Sequence, residues 1–156
     1  MKKLEEALKK YNLSMLNPPA RGGIYEPVRE FGTNLCYLSG CTPTINGEHR
    51  WLGKVGKELT LEQGQEAARY CALNLLANLN AHLGSLEKIK RIVKMLVLVA
   101  GTDDFFEQPK VANGASELLV EIFGEEAGRG ARSAIGVYTL PGNAPVEIEM
   151  LVELNP

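Results

Sequence analysis

Two charged residues near the end of the sequence have the types and the spacing for chemistry on a carboxylate. Arg132 lies among small and apolar residues at the start of one predicted strand, 133–140, and Glu147 lies on a second, 146–152. The turn-forming residues Pro141-Gly142-Asn143 lie between these strands, so the pattern predicts a hairpin that brings the two side chains near each other. They could form an ion pair or remain two solvated charges. They could also form a site in which the guanidinium binds a substrate carboxylate and the carboxyl group transfers protons.

The segment that carries these residues, 128–153, resembles the closing signature of the Rid/YjgF family. The resemblance rests on Ala131-Arg132-Ser133, Leu140-Pro141 and Val146-Glu147-Ile148-Glu149. The family consists of small trimeric proteins, formerly labelled endoribonuclease L-PSP, of which many are enamine or imine deaminases. The likeness extends over most of the chain, from about Tyr25 to Val152. The sequences around Gly53, Asn74 and Gln108 are similar to the longer branch of the family, which has a chorismate-mutase-like fold.

This resemblance implies a reaction and a set of site residues. The reaction is hydrolytic deamination of a reactive 2-imino or enamine acid to a 2-keto acid and ammonia, which needs no metal and no organic cofactor. Arg132 would bind the substrate carboxylate, and Glu147 would position the water and move the proton. The other residues implied to bind substrate are Tyr25, Ser39, Gly40, Asn113 and Ala134.

Some of these residues have an ordinary structural interpretation, and the sequence also departs from the family pattern. Gly40 could simply end a strand, and Asn113 could be an exposed or locally capping side chain. Ala134 stands where many family deaminases have Cys, and Gly130 stands where they often have Pro. The segment between Asn113 and Arg132 is also longer, which leaves the shape of the pocket and the substrate open.

Two other functions remain open besides a deaminase. A trimer with the same Arg132 site could bind a small carboxylate without turning it over. A ribonuclease has less support, because the chain has 17 basic and 19 acidic residues, a net charge of −2, and no stripe of basic and aromatic residues. We therefore expect a small-molecule carboxylate as the partner, with neither nucleic acid nor a membrane surface as a partner.

The cysteines and apolar segments indicate the cellular compartment. Three cysteines, Cys36, Cys41 and Cys71, are an odd number without paired spacing, so we expect free thiols and no disulfide framework. The histidines lie far from any clustered ligands, which gives a zinc site little support. The N-terminus lacks the apolar core of a signal peptide, and the apolar run 95–100 is too short for a bilayer, which takes about 20 residues. These features favour the cytoplasm.

Apolar periodicity predicts the order of the elements. Residues 1–16 are predicted to form an N-terminal helical extension, and residues 17–156 the Rid/YjgF-like domain. The domain begins with strands at 25–28 and 35–39 and a loop from Cys41 to Glu58. The elements that follow are a helix from Thr60 to Gly84, a strand at 91–100, a helix from Pro109 to Gly124, and the two C-terminal strands.

This order predicts an α+β sandwich of a mixed sheet with helices packed on one face. The family resemblance implies that this is a chorismate-mutase-like two-layer sandwich. The strand 91–100 is apolar on both faces, so it should be central and covered on both sides. The helices can cover only one face, which indicates an oligomer whose sheets face one another. The family resemblance specifies this oligomer as a homotrimer with its sites at the subunit interfaces.

Overall fold

Four helices and seven strands make up the protein in the computed structural model, which describes residues 2–156. The helices are α1 (Lys2–Lys10), α2 (Leu61–Leu83), α3 (Gln108–Phe123) and α4 (Glu125–Gly128). The strands are β1 (Val28–Phe31), β2 (Leu35–Cys41), β3 (Thr44–Ile45), β4 (Glu48–His49), β5 (Ile89–Ala100), β6 (Ala131–Val137) and β7 (Val146–Leu154). No helix among the described residues has the length and apolar character needed to cross a bilayer.

Five of the strands form one mixed sheet in the order β1-β2-β7-β5-β6. The pairing of β5 with β6 is parallel, and the other three pairings are antiparallel. The helices α2 and α3 pack on one face of this sheet, and β3 and β4 form a separate two-stranded sheet. The predicted α+β fold with helices on one face of a mixed sheet is therefore confirmed.

The predicted C-terminal hairpin is wrong, because β6 and β7 are not neighbours. Strand β5 lies between them and pairs with both. The residues 141–143 do form a turn between β6 and β7, but a turn does not determine which strand β6 pairs with. The chain returns from β5 through α3 and α4, and this crossover delivers β6 parallel to β5 on its outer edge. Strand β7 then occupies the other edge of β5.

Several predicted boundaries shift in the structure. The first strand begins at Val28, so Tyr25 precedes the sheet instead of lying in it. Strand β6 runs over Ala131–Val137, which places Arg132 inside the strand and ends it three residues earlier than predicted. The predicted loop after Cys41 contains the short β3–β4 sheet, and Trp51, in the following segment, is 3% exposed and anchors that segment in the core.

Local sequence signals fix both ends of the main helix. The Thr60 hydroxyl accepts a hydrogen bond from Gln63 N at 3.2 Å, and Gln63 Oε1 accepts one from Thr60 N at 2.9 Å, which completes the predicted capping box. At the other end Gly84 adopts a left-handed conformation with φ 79°, as a glycine can at low cost. Between these caps the apolar stripe of α2 is buried against the sheet.

The two long helices cross at a pair of glycines. A Cβ atom built on Gly114 of α3 would lie 2.0 Å from the backbone oxygen of Gln65 in α2. A Cβ atom on Gly64 of α2 would instead meet only side-chain methyl groups, with Val55 at 3.1 Å and Val111 at 3.3 Å. The missing side chain at Gly114 is therefore what lets the helix backbones touch.

The sheet face away from the helices is left partly open in the protomer. In β5 the side chains of Val97 and Val99 are buried under the helices, whereas Leu96 and Leu98 point to the other face and are half-buried. Neighbouring strands extend this apolar face with Leu151, which is half-buried, and Ile135, which is 49% exposed. Both faces of β5 are thus apolar, as predicted. On the face away from the helices, Leu98 packs against a small cluster of Ala100, Leu140 and Ala144, whereas Leu96 and Ile135 stay partly exposed.

The first helix packs against the domain. Ala7 of α1 is 2% exposed within the main core cluster, and α1 contacts α3. Lys10 at its end forms an ion pair with Glu121 of α3. Helix α1 therefore lies on the surface of the domain, against α3.

Glu153 at the end of β7 gives a first testable prediction. Its carboxylate accepts hydrogen bonds from Lys90, Arg91 and Asn34. The two cations, Lys90 and Arg91, hold the pKa of Glu153 below the usual range. The folded pKa is depressed, so the stabilisation exists above the unfolded carboxyl pKa of about 4.3 and is lost as the pH falls through the folded pKa. We expect Glu153→Gln to lower the melting temperature at pH 7.

A melting series from pH 7 to pH 3 checks this prediction. The difference between wild type and Glu153→Gln should shrink as the pH falls, since protonation removes the same charge. Glu48→Gln, at an exposed position of β4, is the control and should change little at any pH. A difference that stayed constant with pH would show that the Glu153 charge is not responsible.

Candidate functional site

A bulge in β2 creates the surroundings of Glu147. The register between β2 and β7 shifts between Leu38 and Cys41, so Ser39 and Gly40 lie in the irregularity. The Glu147 side chain lies against Gly40, where an added Cβ atom would come within 2.2 Å of Glu147 Oε1. Gly40 therefore does more than end the strand: it makes the room that the carboxyl group occupies.

The carboxyl group of Glu147 has a raised pKa. Its side chain is half-buried, and burial raises its pKa above the usual range, with a smaller contribution from the negative charge of Glu149. Glu149 itself accepts a hydrogen bond from the Tyr37 hydroxyl at 2.7 Å. A carboxyl group with a raised pKa is suited to general acid–base work near neutral pH.

A thiol lies behind this carboxyl group but is not a nucleophile. Burial, and then the charge of Glu147, raise the pKa of Cys41 to about 12. The thiol lies 3.4 Å from Asn78 Nδ2. This raised pKa keeps the Cys41 thiol protonated at neutral pH. Because only the thiolate attacks electrophiles, the thiol is inert there. All three cysteines are buried and free, as predicted.

Glu147 and Gly40 line a cleft with a volume of about 530 Å³. Tyr25 and Ser39 line the same cleft, so the structure brings together four of the seven predicted site residues. The Tyr25 hydroxyl accepts a hydrogen bond from Gly22 N at 3.1 Å, and the Ser39 hydroxyl donates to Glu26 O at 2.7 Å. These bonds hold the irregular segment before β1 as one wall of the cleft.

The opposite wall is held by residues that were not predicted for the site. Asn74 Nδ2 donates to Thr42 O at 3.0 Å and to Thr44 O at 2.8 Å. Asn78 lines the cleft one helical turn further along α2, and His49 lines it from β4. A usable signal was present in the sequence, because Asn74 and Asn78 interrupt an otherwise apolar helical stripe and buried amides need partners.

Arg132 lies at the other edge of the sheet and is held by neutral groups. Its Nη1 donates to Asn113 Oδ1 at 2.8 Å and to Ser116 Oγ at 3.0 Å, and its Nη2 donates to Pro109 O at 3.3 Å. Asn113 therefore orients the guanidinium, which is neither of the ordinary roles considered for it. Ser116 was not predicted, although it follows Asn113 by three residues and so shares its helix face.

The Arg132 guanidinium keeps capacity for a further partner. Three of its five N–H groups make the bonds given above, which leaves two (5 − 3) without an acceptor in the described part of the chain. No carboxylate within residues 2–156 forms an ion pair with it. Ala134 follows two residues later on the same face of β6 and packs against the core.

One protomer does not bring Arg132 to Glu147, contrary to the hairpin prediction. Arg132 pairs with Met95 of β5, whose side chain is buried against the helices, and Glu147 pairs with Leu98, which points to the open face. The two residues thus lie on opposite faces, separated by roughly 10 Å across the strands and roughly 10 Å along them.

The described residues contain no group of three or more His, Cys, Asp or Glu side chains arranged to hold a metal ion. A carboxyl group such as that of Glu147 can transfer protons, and a guanidinium such as that of Arg132 can bind an anion.

The fold, with Arg132 and Glu147 on separate strands of its sheet, belongs to a class of small α+β proteins. Residues 7–154 match the model of the family described as "YjgF/chorismate_mutase-like, putative endoribonuclease". The chain belongs to this family, and the resemblance proposed from its C-terminal signature is confirmed.

Three relatives illustrate this membership. Protein TCP17 of Trypanosoma cruzi is 47% identical over 119 residues, which cover 76% of this chain and 74% of that protein. The crystal structure of the protein Atu1372 of Agrobacterium tumefaciens, of unknown function, superposes with a TM-score of 0.90 at 40% identity and covers 99% of this chain and 94% of the other. A Shewanella oneidensis MR-1 protein that carries the same endoribonuclease description has a TM-score of 0.90 at 32% identity, covering 97% and 99% of the two chains.

Proposed function

We propose that the protein is a hydrolytic deaminase of reactive 2-imino and enamine acids, giving a 2-keto acid and ammonia. The observation that carries this proposal is the half-buried Glu147, whose raised pKa and position over Gly40 put a proton-transfer group in a cleft. Arg132, with two N–H groups free of acceptors in residues 2–156, suits a substrate carboxylate. Buried free thiols are in keeping with a cytoplasmic protein.

The complete site forms, in this proposal, between subunits of a homotrimer. Arg132 and Glu147 lie too far apart in one protomer to touch the same small molecule. The partly exposed apolar face around Leu96 and Ile135 needs a cover, which a second copy of the chain supplies. Arg132 of one subunit then meets the Glu147 cleft of its neighbour.

The reaction follows from these positions. Arg132 binds the substrate carboxylate and aligns the imine carbon, and orientation of this kind can lower a barrier by several kcal/mol. The ionised Glu147 takes a proton from water as the water oxygen bonds to the imine carbon. Glu147 returns this proton to the nitrogen, which gives a neutral adduct with one hydroxyl and one amino group. Glu147 then takes the hydroxyl proton and donates it to the amino nitrogen, and the C–N bond breaks as the C=O bond forms. The products are the 2-keto acid and ammonia, and Glu147 is ionised again.

Ammonia release from freshly generated 2-imino acids tests the proposal. We expect acceleration over buffer, and we expect Glu147→Gln to lower kcat by about 100-fold or more, because general acid–base groups contribute roughly 10²–10⁴. The residual uncatalysed rate is subtracted in each case. Absence of acceleration by a correctly assembled wild type, on small and bulky imino acids alike, would contradict the deaminase proposal.

The pH profile of kcat provides a second test of Glu147. In the complex the substrate carboxylate neutralises Arg132, so burial still governs the Glu147 pKa. Activity should fall as the pH drops through this raised pKa, because water activation needs the ionised form. Glu149→Gln removes a neighbouring negative charge and should move this limb of the profile to lower pH. If the acidic limb of the kcat profile stayed at the same pH in Glu149→Gln, Glu147 would not be the titrating group.

The same assays distinguish a deaminase from two other functions. A carboxylate-binding protein would bind 2-keto acids through Arg132 but accelerate nothing. An endoribonuclease, which the family description names, would bind RNA with an affinity that falls steeply with salt concentration. The net charge of −2 gives RNA little long-range attraction.

A further inference from the structure

We infer that the preferred substrates are 2-imino acids with a bulky, uncharged side chain, in particular an aromatic ring. This inference rests on the proposed function, because it assigns a substrate class to the same cleft. Three features of the cleft carry it: its volume, the side chains of its walls and the sign of its charges.

The volume is large for the smallest imino acids. The cleft measures about 530 Å³, and sites of drug-sized ligands span roughly 300–1,000 Å³. The side chain of 2-iminopropanoate is a single methyl group, so most of the cleft would stay filled with water. An aromatic side chain displaces far more of this water, and each buried methylene favours binding by roughly fourfold.

The walls of the cleft suit a ring. Pro19, Pro27 and Pro141 line it with rigid apolar faces, and Tyr25 adds an aromatic ring. Aromatic pairs in offset or edge-to-face contact attract beyond their buried area. Ala20 also lines the cleft, and its small side chain leaves this space open.

The charges exclude substrates with charged side chains. Glu147 is the carboxylate in the cleft, and no lysine or arginine of residues 2–156 lines it. An acidic side chain would meet the negative charge of Glu147, with the imidazole of His49 as the one basic group among the lining residues of the described chain, and a basic side chain would pair with the group that moves the proton. A neutral side chain avoids both conflicts.

The walls are held before any ligand binds. Ser39 Oγ donates to Glu26 O on one side, and Asn74 ties the backbone at Thr42 and Thr44 to α2 on the other. The volume is therefore built into the fold and does not have to be opened by the substrate.

The test compares the imino acids of phenylalanine and alanine, generated by an amino-acid oxidase under conditions where imine hydrolysis limits ammonia release. We expect kcat/KM to be about 100-fold higher for the aromatic substrate, since even one methylene changes discrimination by roughly 10–200-fold. Ala20→Trp should lower this ratio by filling the cleft. A wild-type ratio of one or below would overturn the inference and leave the deaminase proposal intact.

A binding measurement keeps the two proposals separate. Isothermal titration calorimetry with phenylpyruvate and pyruvate measures the affinity of the cleft for each acid without turnover. We expect the aromatic acid to bind at least about tenfold more tightly. If neither imino acid is turned over but phenylpyruvate binds more tightly, the deaminase proposal fails and the assignment of the ligand class stands for a binding protein. Equal binding of both acids would overturn the ligand class.

Discussion

Replacing Arg132 by lysine is expected to lower kcat/KM for imine hydrolysis by about 30–1,000-fold, that is, roughly 2–4 kcal/mol of transition-state stabilisation. Asn113 and Ser116 hold Nη1 of the guanidinium and the carbonyl oxygen of Pro109 holds one N–H of Nη2, which leaves two N–H groups for a carboxylate. A lysine keeps the positive charge but presents a point charge on a flexible stem, so the two-pronged contact is lost. Steady-state ammonia release on the best imino acid measures the loss.

Arg129→Lys is the matched control for this substitution. Arg129 precedes β6, is exposed and pairs with Glu125, so its replacement should leave kcat/KM within about twofold of wild type. Full activity of Arg132→Lys would show that positive charge alone suffices and would contradict the two-pronged contact.

Mixing two inactive variants distinguishes a shared site from a site within one chain. Arg132→Ala retains Glu147, and Glu147→Gln retains Arg132, so an interface between the two variants can hold one complete site. In a freely exchanged equal mixture about one quarter of the interfaces should be complete, and activity should recover to about that fraction. No recovery after demonstrated subunit exchange would mean that the two residues do not act across an interface.

Gly114→Ala is expected to destabilise the protein by about 3 kcal/mol, near the upper end of the range for overpacked cores. The new methyl group would lie 2.0 Å from the backbone oxygen of Gln65, and backbone of a packed helix cannot turn away as a side chain can. The helices would have to separate, although both also pack against the sheet. Urea and thermal denaturation at a fixed protein concentration measure the change.

Gly64→Ala provides the comparison at the same helix crossing. Its added methyl group meets side-chain methyls of Val55 and Val111, which can shift, and alanine favours the helix by up to about 1 kcal/mol. We expect a change within about 1 kcal/mol. If both variants lost the same stability, the close approach of the backbones at Gly114 would not be the cause.

The sequence predicted those parts of the fold that depend on local signals. The Thr60 capping box and the left-handed Gly84 follow from a few adjacent residues, and both are found. The partner of β6 could not be predicted in this way, because strand pairing depends on where the α3 crossover delivers the chain. The one local cue, the turn before β7, pointed to the wrong neighbour.

The candidate site was predicted as a set of residues but not as an arrangement. The C-terminal signature and its family resemblance supplied Arg132 and Glu147, whereas their placement on opposite faces of the sheet depends on the β5 register. Ser116 and Asn78 were missed because their roles depend on contacts between elements far apart in sequence. The catalytic and binding roles of these residues remain predictions for the experiments described above.

The contact between Gly40 and Glu147 links two positions that are 107 residues apart in the chain (147 − 40). The carboxyl oxygen occupies the volume that any side chain at position 40 would need. In evolutionary terms the two positions cannot vary independently. A descendant that keeps the carboxylate in this conformation must keep glycine at position 40, whereas one that loses the carboxylate is free to fill the space. We therefore expect residues larger than glycine at position 40 in those relatives that lack a carboxylate at position 147.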